Sequence, residues 1–233
     1  MPHRGVEPEQ FVRPTTPEVA YILGFLWADG WVSKDHPFIR TEILETDAND
    51  LVPVFMATGK WGISSRSRPG RRRQTTFATT GRDLHRHFVQ LGFCEKDRVS
   101  AKQVIDSVPA KFRHYWARGL FDGDGCIYTN QKQSLAHVTI AGAFAQDWAG
   151  VLDLFATAGV HFKISRRIHK STGGRTRDSI LRISKRSEVM RLRDYIYQGK
   201  TFGIVRKREA LLNVQPPARP WAIRKLQRGD KGR

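Results

Sequence analysis

Two stretches of this chain are predominantly apolar, and the pattern around them repeats. One runs Tyr21-Ile22-Leu23-Gly24-Phe25-Leu26-Trp27-Ala28 and ends in Asp29-Gly30. The other runs Tyr115-Trp116-Ala117-Arg118-Gly119-Leu120-Phe121 and ends in Asp122-Gly123-Asp124-Gly125. Each sets small residues four positions apart, Gly24 and Ala28 in the first and Gly119 and Gly123 in the second, so each predicts a short helix with one bare face. Bare faces let two helix backbones approach closely. Gly24 aligns with Gly119, Ala28 with Gly123, Asp29 with Asp124 and Gly30 with Gly125, always at an offset of 95 residues. A constant offset marks an internal repeat. Gly30 and Gly125 are expected in the left-handed conformation that commonly ends a helix.

After each apolar helix the pattern turns to alternation. In the first half, Thr16 and Pro17 open the helix. Strands are predicted over 31–33 and 38–44, with Ile39 and Ile43 on one face and Arg40 and Glu42 on the other. Thr46 and Asp47 are expected to cap a helix reaching about Thr58, followed by a hairpin of strands over 61–68 and 74–79 and a helix over 81–91. The second half predicts strands over 125–129 and 135–141, a helix over 146–158, strands over 161–170 and 176–184 around Gly173-Gly174, and a helix over 187–197. The architecture expected is therefore α+β, two pseudo-symmetric αββαββα repeats. The units are an N-terminal arm over 1–16, a first repeat over 17–92, a linker over 93–110, a second repeat over 111–213 and a basic tail over 214–233. The arm is polar, holds Pro2, Pro8 and Pro14, and is expected to be loose.

Charge changes the picture more than length does. The chain has 233 residues and 39% hydrophobic content, enough for a packed core, but it carries 40 Lys and Arg against 22 Asp and Glu, a net charge of +18. Such an excess points to a polyanion, with nucleic acid ahead of an anionic membrane surface. No apolar run is long enough to span a bilayer, and no secretory signal is visible over 1–16. Cys94 and Cys126 lack metal-ligand spacing and form no disulfide framework, so an intracellular setting is expected, cytoplasmic, nucleoid-associated or within an organelle.

The chemistry follows from the helix ends. If the two apolar helices lie parallel, Asp29 and Asp124 meet at their C-terminal tips, beside two helix-end partial negative charges. Divalent cations would relieve that repulsion, and the hard oxygen donors suit Mg²⁺, with Mn²⁺ as the alternative. A single Asp-Gly most often marks only a helix end and a turn; the matched pair is what points to function. An EF-hand loop is excluded, because Cys126 and Gln133 stand where oxygen ligands are needed.

The two copies resemble the nine-residue motif of the LAGLIDADG homing endonuclease family, Ile22 to Gly30 in one and Ala117 to Gly125 in the other. The second is the stronger match; the first has Leu23 and Trp27 where a small and a commonly acidic residue are usual. The resemblance implies two sheets forming a DNA-binding saddle, with the motif helices at the pseudo-two-fold interface. It further implies hydrolysis of one phosphodiester per strand, leaving short 3′ overhangs, at a long asymmetric target. Asp29 and Asp124 would be the metal ligands, with the backbone carbonyls of Ala28 and Gly123. Family lysines near each site map to Lys96 in the first half and to Lys207 in the second, with Lys200 behind it.

The double-stranded DNA would lie on acid-free hairpins. Between Lys60 and Arg82 there are seven Lys or Arg and no acid, and between His161 and Arg177 six and none. In the latter, Phe162, Ile164 and Ile168 are expected to face a core, with Lys163, Ser165, Arg167 and His169 opposite. An antiparallel ribbon fits the major groove. The contact surface expected comprises Arg40, Glu42, Arg66, Arg68, Arg71, Arg72, Arg73, Gln74, Thr76, His137, Thr139, Lys163, Ser165, Arg167, His169, Arg175, Arg177 and Arg182. The reading is a monomeric, Mg²⁺-dependent, site-specific DNA endonuclease of homing type. An intein is not expected, as no splicing-domain extension is visible. The alternatives are an RNA maturase acting on intron RNA and a catalytically silent DNA-binding regulator of the same fold.

Overall fold

The computed structural model describes residues 5–67, 69–130, 135–169 and 176–216. Arg68, Arg175, the turn at Gly173-Gly174 and most of the basic tail lie outside these. The first half runs α1 (Pro8–Val12), α2 (Pro17–Asp29), β1 (Gly30–Val32), β2 (Phe38–Leu44), α3 (Glu45–Met56), β3 (Gly62–Arg66), β4 (Gln74–Thr80) and α4 (Arg82–Gln90). After α5 (Lys102–Ser107) the second half runs α6 (Arg113–Asp124), β5 (Gly125–Asn130), β6 (Leu135–Ala143), α7 (Ala149–Ala156), β7 (Lys163–Ile168), β8 (Arg177–Ile183), α8 (Arg186–Ile196) and α9 (Val205–Leu212). Both sheets are four-stranded and antiparallel, ordered β1-β2-β4-β3 and β5-β6-β8-β7. The identical order in the two halves is the repeat expected from the constant offset.

Helix α2 starts where its sequence says it should: Thr16 Oγ1 accepts the Val19 N–H at 3.3 Å, and proline occupies the first turn. Every residue from Val19 to Trp27 is buried. A helix buried all round is enclosed on every side, here by α6 and by the first sheet and its helices. Behind the first sheet Phe77 stacks on Phe55 at 4.2 Å, and Phe25 and Trp61 meet Phe55 edge-on. Among the described residues no helix is long and apolar enough to cross a membrane.

Several local expectations fail for identifiable reasons. Gly30 and Gly125 are extended, at φ −76° and −77°, not left-handed. Each leaves its helix directly into a strand, and a β-carbon there would collide with the helix backbone at Leu26 or Phe121. From Gly5 onward the supposed loose arm is packed: Phe11 of α1 is fully buried against Phe88, 5.7 Å away, and Val6 is buried too. Its polar, proline-rich surroundings hid those two anchors. Helix α3 begins at Glu45 with no side-chain cap; Asp47 turns away to hold Arg206 with bonds of 2.7 and 2.6 Å. Helix α7 is shorter than 146–158, because Gln146 and Trp148 are recruited into the core ahead of it, Trp148 donating to Ser179 Oγ at 2.9 Å. In β7 every residue is exposed, with Ile164 and Ile168 at 42% and 54%. It is an edge strand, and its apolar side has no core beneath it.

Candidate active site and nucleic-acid interface

Helices α2 and α6 touch along their bare faces. A β-carbon on Gly24 would strike the Trp116 carbonyl, one on Gly119 the Tyr21 carbonyl, and one on Gly123 the Ala28 methyl. Contacts advance together along both helices, 119 beside 21–25 and 123 beside 28–29, so the helices are parallel and Asp29 and Asp124 end side by side.

Each helix end is capped by a lysine from distant sequence. Lys96 Nζ donates to the carbonyls of Ala28 at 2.5 Å, Gly30 at 2.6 Å and Leu26 at 3.3 Å. Lys207 Nζ, carried by α9, donates to those of Asp122 at 2.6 Å, Gly123 at 3.1 Å and Phe121 at 3.3 Å. The last carbonyls of a helix have no partner within it and carry its negative end, so an ammonium group suits them. Thr41 Oγ1 adds a bond of 3.1 Å to the Asp29 carbonyl.

The carboxyls are electrostatically stressed. Burial pushes Asp124 up, and the neighbouring Asp29 pushes it further, to about 7; Lys96 and Lys207 pull it back. Asp29 is raised as well, by burial, with the same two lysines opposing. Its tip keeps contact with solvent, so burial here means surrounding protein, not enclosure. Burial also lowers Lys96, to about 8, and lowers Lys207. Two carboxylates that burial raises, one of them raised further by the other, fit a divalent cation, which would relieve the stress. Among the described residues no cluster of three or more His, Cys, Asp and Glu could hold a metal. A cation here would be held by Asp29 and Asp124, with water or substrate oxygens completing its shell, as Mg²⁺ tolerates. The carbonyls of Ala28 and Gly123 already accept from the lysines, leaving each one further lone pair.

Beside Asp124 opens a cavity of about 340 Å³, also lined by Lys96, Ala28, Gln146 and Trp148. Gln146 is 7% exposed and its Nε2 has no partner. Sequence reasoning missed it, since nothing in its spacing marks a glutamine in a loop. The short connection after α4 that brings Lys96 to the site was read as linker, and α9, which brings Lys207, was not foreseen as a helix.

The sheet registers sort the expected DNA contacts. Arg40, Glu42, Gln74, Thr76 and Arg66 fall on one face of the first sheet, opposite the buried Ile39, Thr41, Ile43 and Phe77. His137, Thr139, Arg182, Lys163, Ser165 and Arg167 share the matching face of the second, and His169 follows in phase. Arg71, Arg72 and Arg73 are exposed in the β3–β4 connection, Arg73 pairing with Glu45 at 3.2 Å. Arg177 does not join them: its register puts it on the side of Ser179 and Leu181, with its guanidinium 6.0 Å from the Phe144 ring. Arg68 and Arg175 lie outside the described residues. Two features of these faces were missed. Asp178 grips Arg167 with bonds of 2.8 and 2.7 Å, and Trp31 lies exposed with Arg40 5.0 Å from its ring.

Two parallel, glycine-packed helices ending in paired aspartates between two sheets of identical topology define the LAGLIDADG-type fold. Residues 112–197 match the family model described as a LAGLIDADG-like domain. The homing endonuclease I-WcaI bound to its DNA recognition sequence is similar in structure over 91% of each chain, with a TM-score of 0.54 at 12% identity. I-DmoI in complex with DNA and Ca aligns over 84% of this chain and 97% of its own, at 0.50 and 16%. Full-length DUF199/WhiA from Thermatoga maritima aligns over 92% of this chain and 67% of its own, at 0.53 and 11%. No curated protein matches the sequence. The resemblance drawn from the two motifs therefore stands: the second repeat matches the LAGLIDADG-like domain model, and over 91% of its length the chain has the fold of a homing endonuclease.

Proposed function

We propose that this protein is a divalent-metal-dependent, site-specific endonuclease of homing type. It cuts both strands of an asymmetric DNA target and leaves short 3′ overhangs. The observation that carries the reading is the meeting of Asp29 and Asp124 at two lysine-capped helix ends, between two basic sheet faces. In this reading the faces seat the duplex, with Arg40 and Arg66 on one side and Lys163, Arg167 and Arg182 on the other holding phosphates and base edges. Asp29 and Asp124 hold the cation, which would activate water and stabilise the leaving oxygen. Lys96 and Lys207 keep positive charge beside the scissile phosphates. Two unequal repeats in one chain suit a monomer on an asymmetric site, and an intracellular setting belongs to the same reading.

One observation favours a DNA-binding protein that does not cut. The Ala28 and Gly123 carbonyls, which the family resemblance offers as metal ligands, are engaged by the two lysines. The deciding experiment is incubation of the purified protein with a randomised or host-derived DNA library in Mg²⁺, beside the Asp29→Asn and Asp124→Asn variants. The expected result is one long cut site with the wild type, no double-strand break with either variant, and DNA retention by all three. Normal cutting by either variant would sink the site assignment; selective retention without cutting would establish the binding protein.

A further inference from the structure

Arg118 is a cation in the middle of an apolar motif helix, and it is completely buried. Its Nε donates to the Ile196 carbonyl at 2.6 Å, Nη1 to those of Lys200 at 2.6 Å and Phe202 at 3.2 Å, and Nη2 to that of Gln198 at 2.9 Å. The rings of Tyr115, Tyr197 and Phe202 lie 4.8, 5.3 and 5.2 Å from the guanidinium carbon. One helical turn on, on the same face, the buried Oδ2 of Asp122 accepts from the Tyr21 hydroxyl at 2.7 Å and the Ile204 N–H at 3.0 Å. Gly203, at φ +107°, passes so close that any β-carbon would meet that oxygen. Residues 196–204 are thus wound around two side chains of α6.

This segment leads directly into α9. The helix begins at Val205, next to the residue Asp122 holds, and Lys207 lies in its first turn. The first repeat solves the same problem differently. At the offset of 95 residues, Leu23 and Trp27 replace Arg118 and Asp122, and Trp27 packs edge-on against Phe93 at 5.2 Å, three residues before Lys96. An apolar support is therefore compatible with the fold. The polar one carries a buried Asp122 Oδ1 that has no partner, and leaving such a group unsatisfied is costly. What the hydrogen bonds provide in return is direction: they hold the root of α9 to a defined distance and angle, and with it the lysine.

We propose that Arg118 and Asp122 are positioning residues for Lys207, and so for the half of the site that acts on one DNA strand. The proposal rests on the nuclease reading above, and strand-resolved kinetics separates the two. A duplex of the selected target, labelled differently on each strand, is cut by wild type, Lys207→Met, Lys96→Met, Asp122→Leu and Asp122→Asn. Lys207→Met identifies the strand served by Lys207. Asp122→Leu slows that same strand by roughly 10- to 100-fold, the scale expected for a displacement of about 1 Å. Nicked duplex accumulates, while the other strand's rate and the DNA affinity stay within about twofold. Asp122→Asn, which keeps an acceptor, shows the same bias at a smaller size and guards against loss of the fold in the leucine variant. Adding Asp122→Leu to Lys207→Met produces no further slowing, because residues acting through one group are not additive. Equal slowing of both strands, slowing of the Lys96 strand, or no bias in variants that still bind would overturn the proposal. Failure of the wild type to cut either strand overturns the nuclease reading beneath it.

Discussion

The centre of the molecule and the two sheet faces repeat by different rules. At the centre each repeat is the other's partner. Gly24 lies against the Trp116 carbonyl and Gly119 against the Tyr21 carbonyl, so a larger residue on either side displaces both helices. The faces keep the strand order but not the residues. Trp31 opposite Arg40 in the first sheet corresponds to Cys126 opposite Thr139 in the second. Arg66 reaches Glu42 on a strand beyond its neighbour, whereas Arg167 grips Asp178 directly across. A residue whose partner lies in the other repeat is constrained symmetrically. One whose partner lies outside the protein is free to diverge, which the proposed asymmetric DNA target would require.

The largest test of that contrast is Gly119→Ala. Its methyl has nowhere to go between two backbones, and overpacking costs about 1–3 kcal/mol even where side chains can yield. We expect a loss of at least ~3 kcal/mol in denaturant unfolding, or no folded protein. Ser165→Ala on the face should stay within about 0.5 kcal/mol of wild type. Comparable stability of the two variants would dissolve the distinction.

Next in size is pH. Asp124 titrates at about 7 in the folded protein, against about 4 in an unfolded chain. Between those values the folded state binds more protons, so this contribution to stability is complete below pH 4 and is lost as pH rises through 7. Asp178 has the opposite sign. Hydrogen bonding from Arg167 holds it at about 2, so its contribution is present above pH 4 and is lost as pH falls through 2. Melting curves from pH 4 to 8 should therefore show a downward contribution that Asp124→Asn reduces and Asp178→Asn leaves in place, the remainder belonging to Asp29 and Asp122, which burial also raises, Asp122 to about 6. Mg²⁺, if bound by the ionised carboxylates as proposed, should raise the melting temperature more at pH 8 than at pH 5. A metal response independent of pH would detach the cation from Asp29 and Asp124.

The smallest effect is expected on the faces. Arg182→Ala should leave stability unchanged and reduce DNA affinity, with the slope of log K against log salt falling by about one if the side chain neutralises a phosphate. An unchanged slope with loss of preference at one base pair would instead make Arg182 a reader of sequence.

Local regularity made much of this legible. The span of β2, the start of α2 at Thr16 and the division of Arg40 and Glu42 from Ile39 and Ile43 come from periodicity and capping within a few residues. Arg118 carried a signal that went unread, since a cation inside an apolar helix implies buried acceptors elsewhere. Gln146 carried none. The apolar alternation of β7 suggested a core face that an edge strand does not have.

By itself the sequence determined the duplication, the two bare helix faces and the pair of aspartates, because each depends on residues a few positions apart or on a constant offset. Only the tertiary structure decided which carbonyls Lys96 and Lys207 cap, that Arg118 and Asp122 gather residues 196–204, and that Gln146 opens beside Asp124. Those contacts join segments 22 to 85 residues apart. No local pattern encodes them, since they arise only when close packing of the whole chain brings unsatisfied donors to unsatisfied acceptors.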